Sequence, residues 1–193
     1  LGLLSTAHAA PAKFPAYTSA ADAGPDFLVQ GEYRGTRSLQ GETDDVGAQV
    51  IALGSGKFQV VLFEDGLPGA GWDRTMKSSS YDAETVEGVV TFSGENVAGT
   101  LRDGLLKLTD SGGQPTGELK KIDRQSPTLG AAPPEGAVVL LDGKSRDPFT
   151  GGGRWIEGLL VMGPGPDGAG KGEAQSKPQF GSCTLHVEFR TPF

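Results

Sequence analysis

Short apolar runs alternate with polar or glycine-rich breaks through residues 25–125, and this pattern predicts strands joined by turns. The clearest pair is formed by residues 50–53 and 58–63, which flank the Gly-Ser-Gly-Lys connector at residues 54–57. A short connector containing glycine between two apolar runs is typical of a β-hairpin. Four further runs follow, at residues 86–92, 97–101, 105–108 and 118–122. Together they predict an antiparallel meander, forming a small barrel-like β domain.

The polar stretches between these runs are predicted to be irregular. Residues 35–45 and 75–84 carry few apolar side chains and are predicted to be surface loops. Residues 27–29, with Tyr33, predict a short extended or single-turn element. Trp72 lies in a loop rich in glycine, where it could stack on a sugar or, as we favour, close the end of a small core.

The final stretch, residues 137–193, contains three more strand-like runs, and the last of them is the most informative. Side chains alternate between the two faces of a strand. The apolar face would hold Cys183, Leu185, Val187 and Phe189, which would be buried, whereas the polar face would hold Thr184, His186, Glu188 and Arg190. A half-buried strand with a solvated outer face is the simpler interpretation of this pattern, and a functional face is the alternative.

Composition divides the chain into five segments. Leu3-Leu4 followed by Ala7-His8-Ala9 is typical of the end of a signal peptide, so residues 1–9 are predicted to be its remnant and the protein to be secreted or periplasmic. Residues 10–24 are a predicted flexible segment, residues 25–125 the N-terminal β domain, residues 126–136 a proline-rich linker, and residues 137–193 a second domain. We expect the chain to be truncated at both ends.

Charge and residue counts exclude several kinds of site. A net charge of −7 disfavours a nucleic-acid partner, and no apolar run approaches the length of a transmembrane helix. With two histidines and one cysteine, a histidine-based metal site and an internal disulfide are not expected. The glycine-rich segments at residues 151–153 and 163–172 precede no predicted helix and are not phosphate-binding loops. No cofactor is predicted, and the oligomeric state stays open.

Three motifs in the final stretch carry a resemblance to a known family. They are LLDGKS at residues 140–145, WIEGLLVMG at residues 155–163 and SKPQFGSCTLHVEFRTPF at residues 176–193. In this order they resemble the start of the 3-keto-disaccharide hydrolase domain, which is common in secreted proteins of planctomycete-like bacteria. Leu141 stands where that family usually has Phe, and Pro148-Phe149 where it usually has Gly-Trp.

The resemblance implies a concanavalin-like, jelly-roll β-sandwich of which only the first strands are present. It also implies a carbohydrate substrate, with His186, Glu188 and Arg190 as catalytic residues and Trp155 as a substrate-binding residue. Glu188 would be the base or acid, Arg190 would stabilise oxyanion charge, and His186 would position a hydroxyl. One alternative is a non-catalytic carbohydrate-binding or cell-surface module. Another is that residues 25–125 form a purely structural domain.

Overall fold

The computed structural model describes residue 17, residues 19–162 and residues 172–191, so the predicted signal-peptide remnant lies outside the described residues. Two short helical turns precede the strands: a 3-10 turn at Ala20–Asp22 and α1 at Pro25–Val29. Ten strands follow in the first part of the chain: β1 Gly31–Leu39, β2 Glu42–Gly54, β3 Lys57–Glu64, β4 Leu67–Pro68, β5 Gly71–Trp72, β6 Ser78–Val86, β7 Val89–Ser93, β8 Ala98–Arg102, β9 Leu105–Thr109 and β10 Pro115–Ile122. No helix among the described residues is long and apolar enough to cross a membrane.

Eight of these strands close into an antiparallel barrel in the order β1-β10-β9-β8-β7-β6-β3-β2. Most neighbours in this order are also neighbours in sequence, as expected for a meander, and β1 pairs with both β2 and β10 to close the sheet. Closure leaves none of these eight strands with an unpaired edge. The prediction of an all-β fold with a barrel-like first domain is confirmed.

The interior of the barrel is filled by apolar side chains, which alternate with outward-facing residues along the strands. On β3, for example, Phe58, Val60 and Leu62 point inward, with exposed fractions of 1%, 0% and 6%. The described residues include no buried polar or charged side chain. The buried cluster consists of Tyr33, Val46, Ala48, Val50, Phe58, Val60, Leu62, Ala83, Val90, Phe92, Val97, Leu101, Leu106, Leu108 and Leu119. The barrel is therefore a packed core rather than a ligand cavity.

The helix α1 closes one end of the barrel. The Tyr33 hydroxyl donates a hydrogen bond of 2.5 Å to the carbonyl oxygen of Val29, and the Lys121 ammonium donates one of 2.6 Å to that of Leu28. At the N-terminal end of α1, the Asp26 carboxylate accepts a bond of 3.0 Å from the Gly56 amide in the β2–β3 turn. These three bonds hold a helix of only five residues, which would not be stable alone.

Two of the predicted loops are strands. The predicted loop at residues 35–45 contains most of β1 and the start of β2, and the predicted loop at residues 75–84 contains most of β6. On β6 only Ala83 is buried, so the strand carries almost no apolar signal. Its backbone is nevertheless paired on both sides, by β3 and β7, and this pairing rather than burial forms the strand.

Trp72 packs against the core at its margin, as favoured from the sequence. Its ring lies edge-on to Phe63, with centroids 5.0 Å apart. Its indole nitrogen donates a hydrogen bond of 3.1 Å to the carbonyl oxygen of Lys77. Both the ring and its polar group are thus occupied within the protein.

By its contacts the chain divides into two compact units, Leu1–Gln125 with Arg190–Phe193, and Ser126–Phe189. The second unit contains β11 Phe149–Gly151, β12 Arg154–Ile156, β13 Leu159–Val161 and β14 Ala174–Ser176. They form two separate two-stranded pieces, β11 with β14 and β12 with β13. Every buried hydrophobic side chain among the described residues lies at or before Leu119, so this unit has no apolar core of its own there.

The predicted strand at the end of the chain is not formed. Residues 183–191 have no helix or strand, and Cys183 is exposed rather than buried. Leu185, Val187 and Phe189 have exposed fractions of 72%, 61% and 84%. The predicted burial of this apolar face is therefore wrong for the described residues. The physical reason is that alternation supplies a face but no partner, and a strand needs both.

Candidate functional site

The structure brings two of the predicted catalytic side chains together. His186 and Glu188 are two residues apart, and the His186 Nε2 atom lies 3.2 Å from the Glu188 Oε1 atom. The same Glu188 oxygen accepts a hydrogen bond of 2.5 Å from the backbone amide of Gly130.

These contacts lower the pKa of Glu188. The Gly130 amide first, and His186 second, lower the pKa of the Glu188 carboxyl below its usual value, because both stabilise the ionised form. Both side chains are largely exposed, with fractions of 56% for His186 and 40% for Glu188, so water screens the pair. At neutral pH Glu188 is a carboxylate, which can accept a proton and is poorly suited to donate one.

The other two predicted site residues are not placed with this pair by any described contact. Arg190 belongs, by its contacts, to the first unit, whereas His186 and Glu188 belong to the second. Trp155 lies half-buried on β12, opposite Leu160 of β13. Its partial exposure leaves part of the indole available for stacking.

Asp142 forms a turn. Its carboxylate accepts hydrogen bonds of 2.9 Å from the Lys144 amide and 3.4 Å from the Ser145 amide. The first of these is the main cause of the lowered pKa of Asp142. No group of three or more His, Cys, Asp or Glu side chains suited to hold a metal occurs in the part of the chain that the structure describes.

A concave surface that was not predicted from the sequence lies on the barrel unit beside α1. It is a groove of about 380 Å³, lined by Phe27, Leu28, Gln30, Gly31, Glu32, Lys121, Ile122, Asp123 and Arg124. These residues come from the beginning and the end of the barrel domain in sequence, and Glu32 and Arg124, for example, are 92 positions apart. No local motif connects them, so the sequence alone carries no signal for this groove.

A forked ion pair forms one wall of the groove. The Arg124 guanidinium donates to both carboxylate oxygens of Glu32, at 2.5 Å and 2.6 Å, and to the carbonyl oxygen of Pro68 at 3.1 Å. Gln49 adds a bond of 3.2 Å to Glu32. The Arg124 hydrogen bond is the main reason that the pKa of Glu32 is lowered. This wall is therefore fixed before any ligand arrives.

Comparison of the chain with protein-family models, with curated proteins and with solved structures finds no match.

Proposed function

We propose that residues 137–193 are part of a secreted carbohydrate hydrolase domain that cleaves 3-keto-glycosides. The proposal rests on the resemblance of three motifs to the 3-keto-disaccharide hydrolase family. The observation that carries it is the close approach of His186 and Glu188, at 3.2 Å, inside the motif that resembles the family most. Their side chains have the chemistry that this reaction needs, and Glu188 is held in its ionised form.

In the proposed reaction a carbonyl at C3 makes the neighbouring C2 proton acidic. Glu188 accepts that proton, and the electron pair moves onto the C3 oxygen as an enolate. When the carbonyl forms again, the bond from C1 to the leaving oxygen breaks, that oxygen takes up the proton removed from C2 and departs as an alcohol, and a C1–C2 double bond results. Water then adds across this double bond, its hydroxyl to C1 and its proton to C2. His186 would position a substrate hydroxyl, Arg190 would stabilise the enolate oxygen and Trp155 would stack on the sugar.

The exposed apolar side of the same segment also supports the proposal. Leu185, Val187 and Phe189 alternate with the polar residues and have exposed fractions of 72%, 61% and 84%. Burying one large apolar side chain stabilises a protein by about 1.5–3 kcal/mol, so leaving these three side chains exposed is unfavourable. In the concanavalin-like sandwich implied by the resemblance, a second sheet would cover this side while the polar side faces the sugar.

The second candidate function is a non-catalytic carbohydrate-binding or cell-surface module. It is favoured by the barrel, whose described interior is filled by apolar side chains and by the Tyr33 ring, with the Tyr33 hydroxyl bonded to the Val29 carbonyl. Such a core stabilises a scaffold and leaves no room for chemistry. The two candidates are compatible if the barrel supports a hydrolase domain, and they conflict only over whether residues 137–193 catalyse.

The test is turnover of a 3-keto-glucoside by the full-length protein, comparing the wild type with Glu188→Gln. Loss of a general base should lower kcat by about 100-fold or more. Glu135→Gln is the matched control, since Glu135 is an exposed glutamate of the same unit and should leave kcat unchanged. Unchanged turnover in Glu188→Gln would remove Glu188 from the mechanism. Glycan binding without product release by the wild type would favour the second candidate.

A further inference from the structure

The groove beside α1 is a surface of mixed polarity whose charges balance. Two cationic side chains, Lys121 and Arg124, face two anionic ones, Glu32 and Asp123. Leu28 and Ile122 supply an apolar strip, and 72% of the Leu28 side chain is exposed at its rim. The volume of about 380 Å³ falls within the range of about 300–1,000 Å³ typical of small-molecule sites.

Several polar groups in the groove retain unused hydrogen-bonding capacity. A lysine ammonium has three donors, and Lys121 uses one of them on the Leu28 carbonyl. Among the described residues, the Asp123 carboxylate and the side-chain amide of Gln30 form no hydrogen bond within the protein. The groove therefore offers both donors and acceptors next to an apolar strip.

The position of Lys121 is built into the backbone. A Cβ atom at Gly31 would lie 2.9 Å from the Lys121 Cε atom, and Gly31 has a φ of 139°. The backbone conformation at Gly31 favours glycine, and a larger residue there would displace the flexible end of the Lys121 side chain. Burial of the stem also lowers the pKa of the Lys121 ammonium. The Lys121 side chain is exposed, and its hydrogen bond to the Leu28 carbonyl holds the ammonium beside the groove.

We propose that this groove binds a neutral, polyhydroxylated ligand of the size of one or two sugar units. Hydroxyl groups both donate and accept, which matches the free capacity of Lys121, Asp123 and Gln30. The C–H face of a pyranose ring would pack on the apolar strip. Binding of an ion of either sign would remove part of its hydration, and a lining without net charge would not offset that desolvation free energy. The proposal concerns the barrel unit and does not depend on the hydrolase function of residues 137–193.

The test is a titration of the full, 15N-labelled chain with cellobiose, followed by backbone amide shifts. Saturable shifts are expected for Gly31, Glu32 and Ile122. Asp123→Ala should weaken binding about tenfold, as expected for loss of a hydrogen bond to a charged group. Because the Asp123 side chain has no partner in the described part of the protein, this change should leave the fold intact. Lys121→Met should weaken binding to a similar degree.

Lys120→Met is the matched control, because it removes the same positive charge from an exposed position on the opposite face of β10. It should leave cellobiose affinity within twofold of the wild type. Three results would overturn the proposal: no saturable shift in the groove, equal binding by the wild type and Asp123→Ala, or tighter binding of sodium glucuronate than of cellobiose. Turnover of the 3-keto-glucoside reports separately on the hydrolase proposal, so the two failures are distinguishable.

Discussion

The contact between Tyr33 and α1 gives a sharp test of how the barrel end is closed. Tyr33→Phe removes the hydroxyl that donates a hydrogen bond of 2.5 Å to the Val29 carbonyl oxygen, and leaves the fully buried ring in place. A net hydrogen bond contributes about 1 kcal/mol, and the carbonyl left unpaired adds to the cost. We expect a loss of about 1–2 kcal/mol in the free energy of unfolding. For a barrel of this size that corresponds to a fall in Tm of about 5–10 °C.

The pH dependence of the same variant provides an independent check. Burial raises the pKa of Tyr33 to about 12, because the ionised phenolate would lose its hydration. The folded pKa lies above the unfolded one, so this contribution to stability is fully present below about pH 10 and is lost as the pH rises towards 12. At about pH 11, one unit above the pKa of tyrosine in the unfolded chain, the free energy of unfolding of the wild type should have fallen by about 1.4 kcal/mol. Tyr33→Phe has no phenol to ionise at this position and should not show this fall. The stability difference between the two proteins should therefore shrink.

Urea unfolding at neutral and alkaline pH measures both effects, and hydrogen exchange locates them. The backbone amide of Gln30 donates a hydrogen bond of 3.0 Å to the Asp26 carbonyl oxygen at the end of α1. Hydrogen exchange of this amide should therefore be faster in Tyr33→Phe than in the wild type. Tyr81→Phe is the control, since the Tyr81 ring stacks on Phe92 and its hydroxyl makes no hydrogen bond among the described residues. Equal stability of Tyr33→Phe and wild type at neutral pH, with unchanged Gln30 exchange, would refute the proposed closure.

Two further predictions concern the barrel wall. Gly35→Ala would place a Cβ atom beside the Glu118 carbonyl oxygen, and should lower the free energy of unfolding in urea by about 3 kcal/mol or more. Gly181→Ala is the control, because a Cβ atom there would meet no atom within 4 Å. It should change the free energy of unfolding by less than about 0.5 kcal/mol. A double-mutant cycle of Glu32→Gln and Arg124→Met should give a coupling of about 1 kcal/mol at pH 7, because water partly screens the pair. Since the pKa of Glu32 is lowered in the folded state, the coupling should persist above its usual value of 4.5 and vanish as the pH falls through the folded value. A coupling that stays constant at acid pH would contradict this assignment.

The strands that the sequence predicts correctly are those whose inward positions are large and apolar. The hairpin of β2 and β3 is one of them, because Val50, Phe58 and Val60 mark the inner face clearly. Side-chain burial and local pattern agree in such segments, and a local pattern is all that one sequence supplies. Confirmation of the all-β class follows from these segments.

The missed strands have small or polar residues where the barrel leaves little space. Gly35 on β1 faces the β10 backbone so closely that a Cβ atom would lie 1.9 Å from the Glu118 oxygen. The sequence shows a glycine in a polar stretch, which predicts a loop, although the same glycine lets two strands approach. The serines at the start of β6 are exposed and paired only through their backbone. Neither feature is visible before the neighbouring strand is known.

The end of the chain shows the opposite error, in which a clear local pattern does not become a strand. Leu185 and Val187 alternate with His186 and Glu188 as they would in a half-buried strand, but no strand forms, and His186 and Glu188 lie 3.2 Å apart without one. The alternation did not anticipate that the apolar side stays exposed. Alternation fixes which side chains share a face, whereas burial depends on a partner that the local sequence does not contain.

The two units differ in how their side chains are packed. The barrel holds the buried hydrophobic side chains of the described chain. The unit Ser126–Phe189 holds the one close His–Glu pair among the described ion pairs, yet lacks an apolar core there. A site can position a substrate only if its own side chains are held in place by packing around them. The pair at His186 and Glu188 is instead solvated and held by one backbone amide, Gly130. Catalysis by this pair consequently requires that the apolar side of residues 183–189 become covered, and catalytic activity should appear only together with protection of that side from solvent.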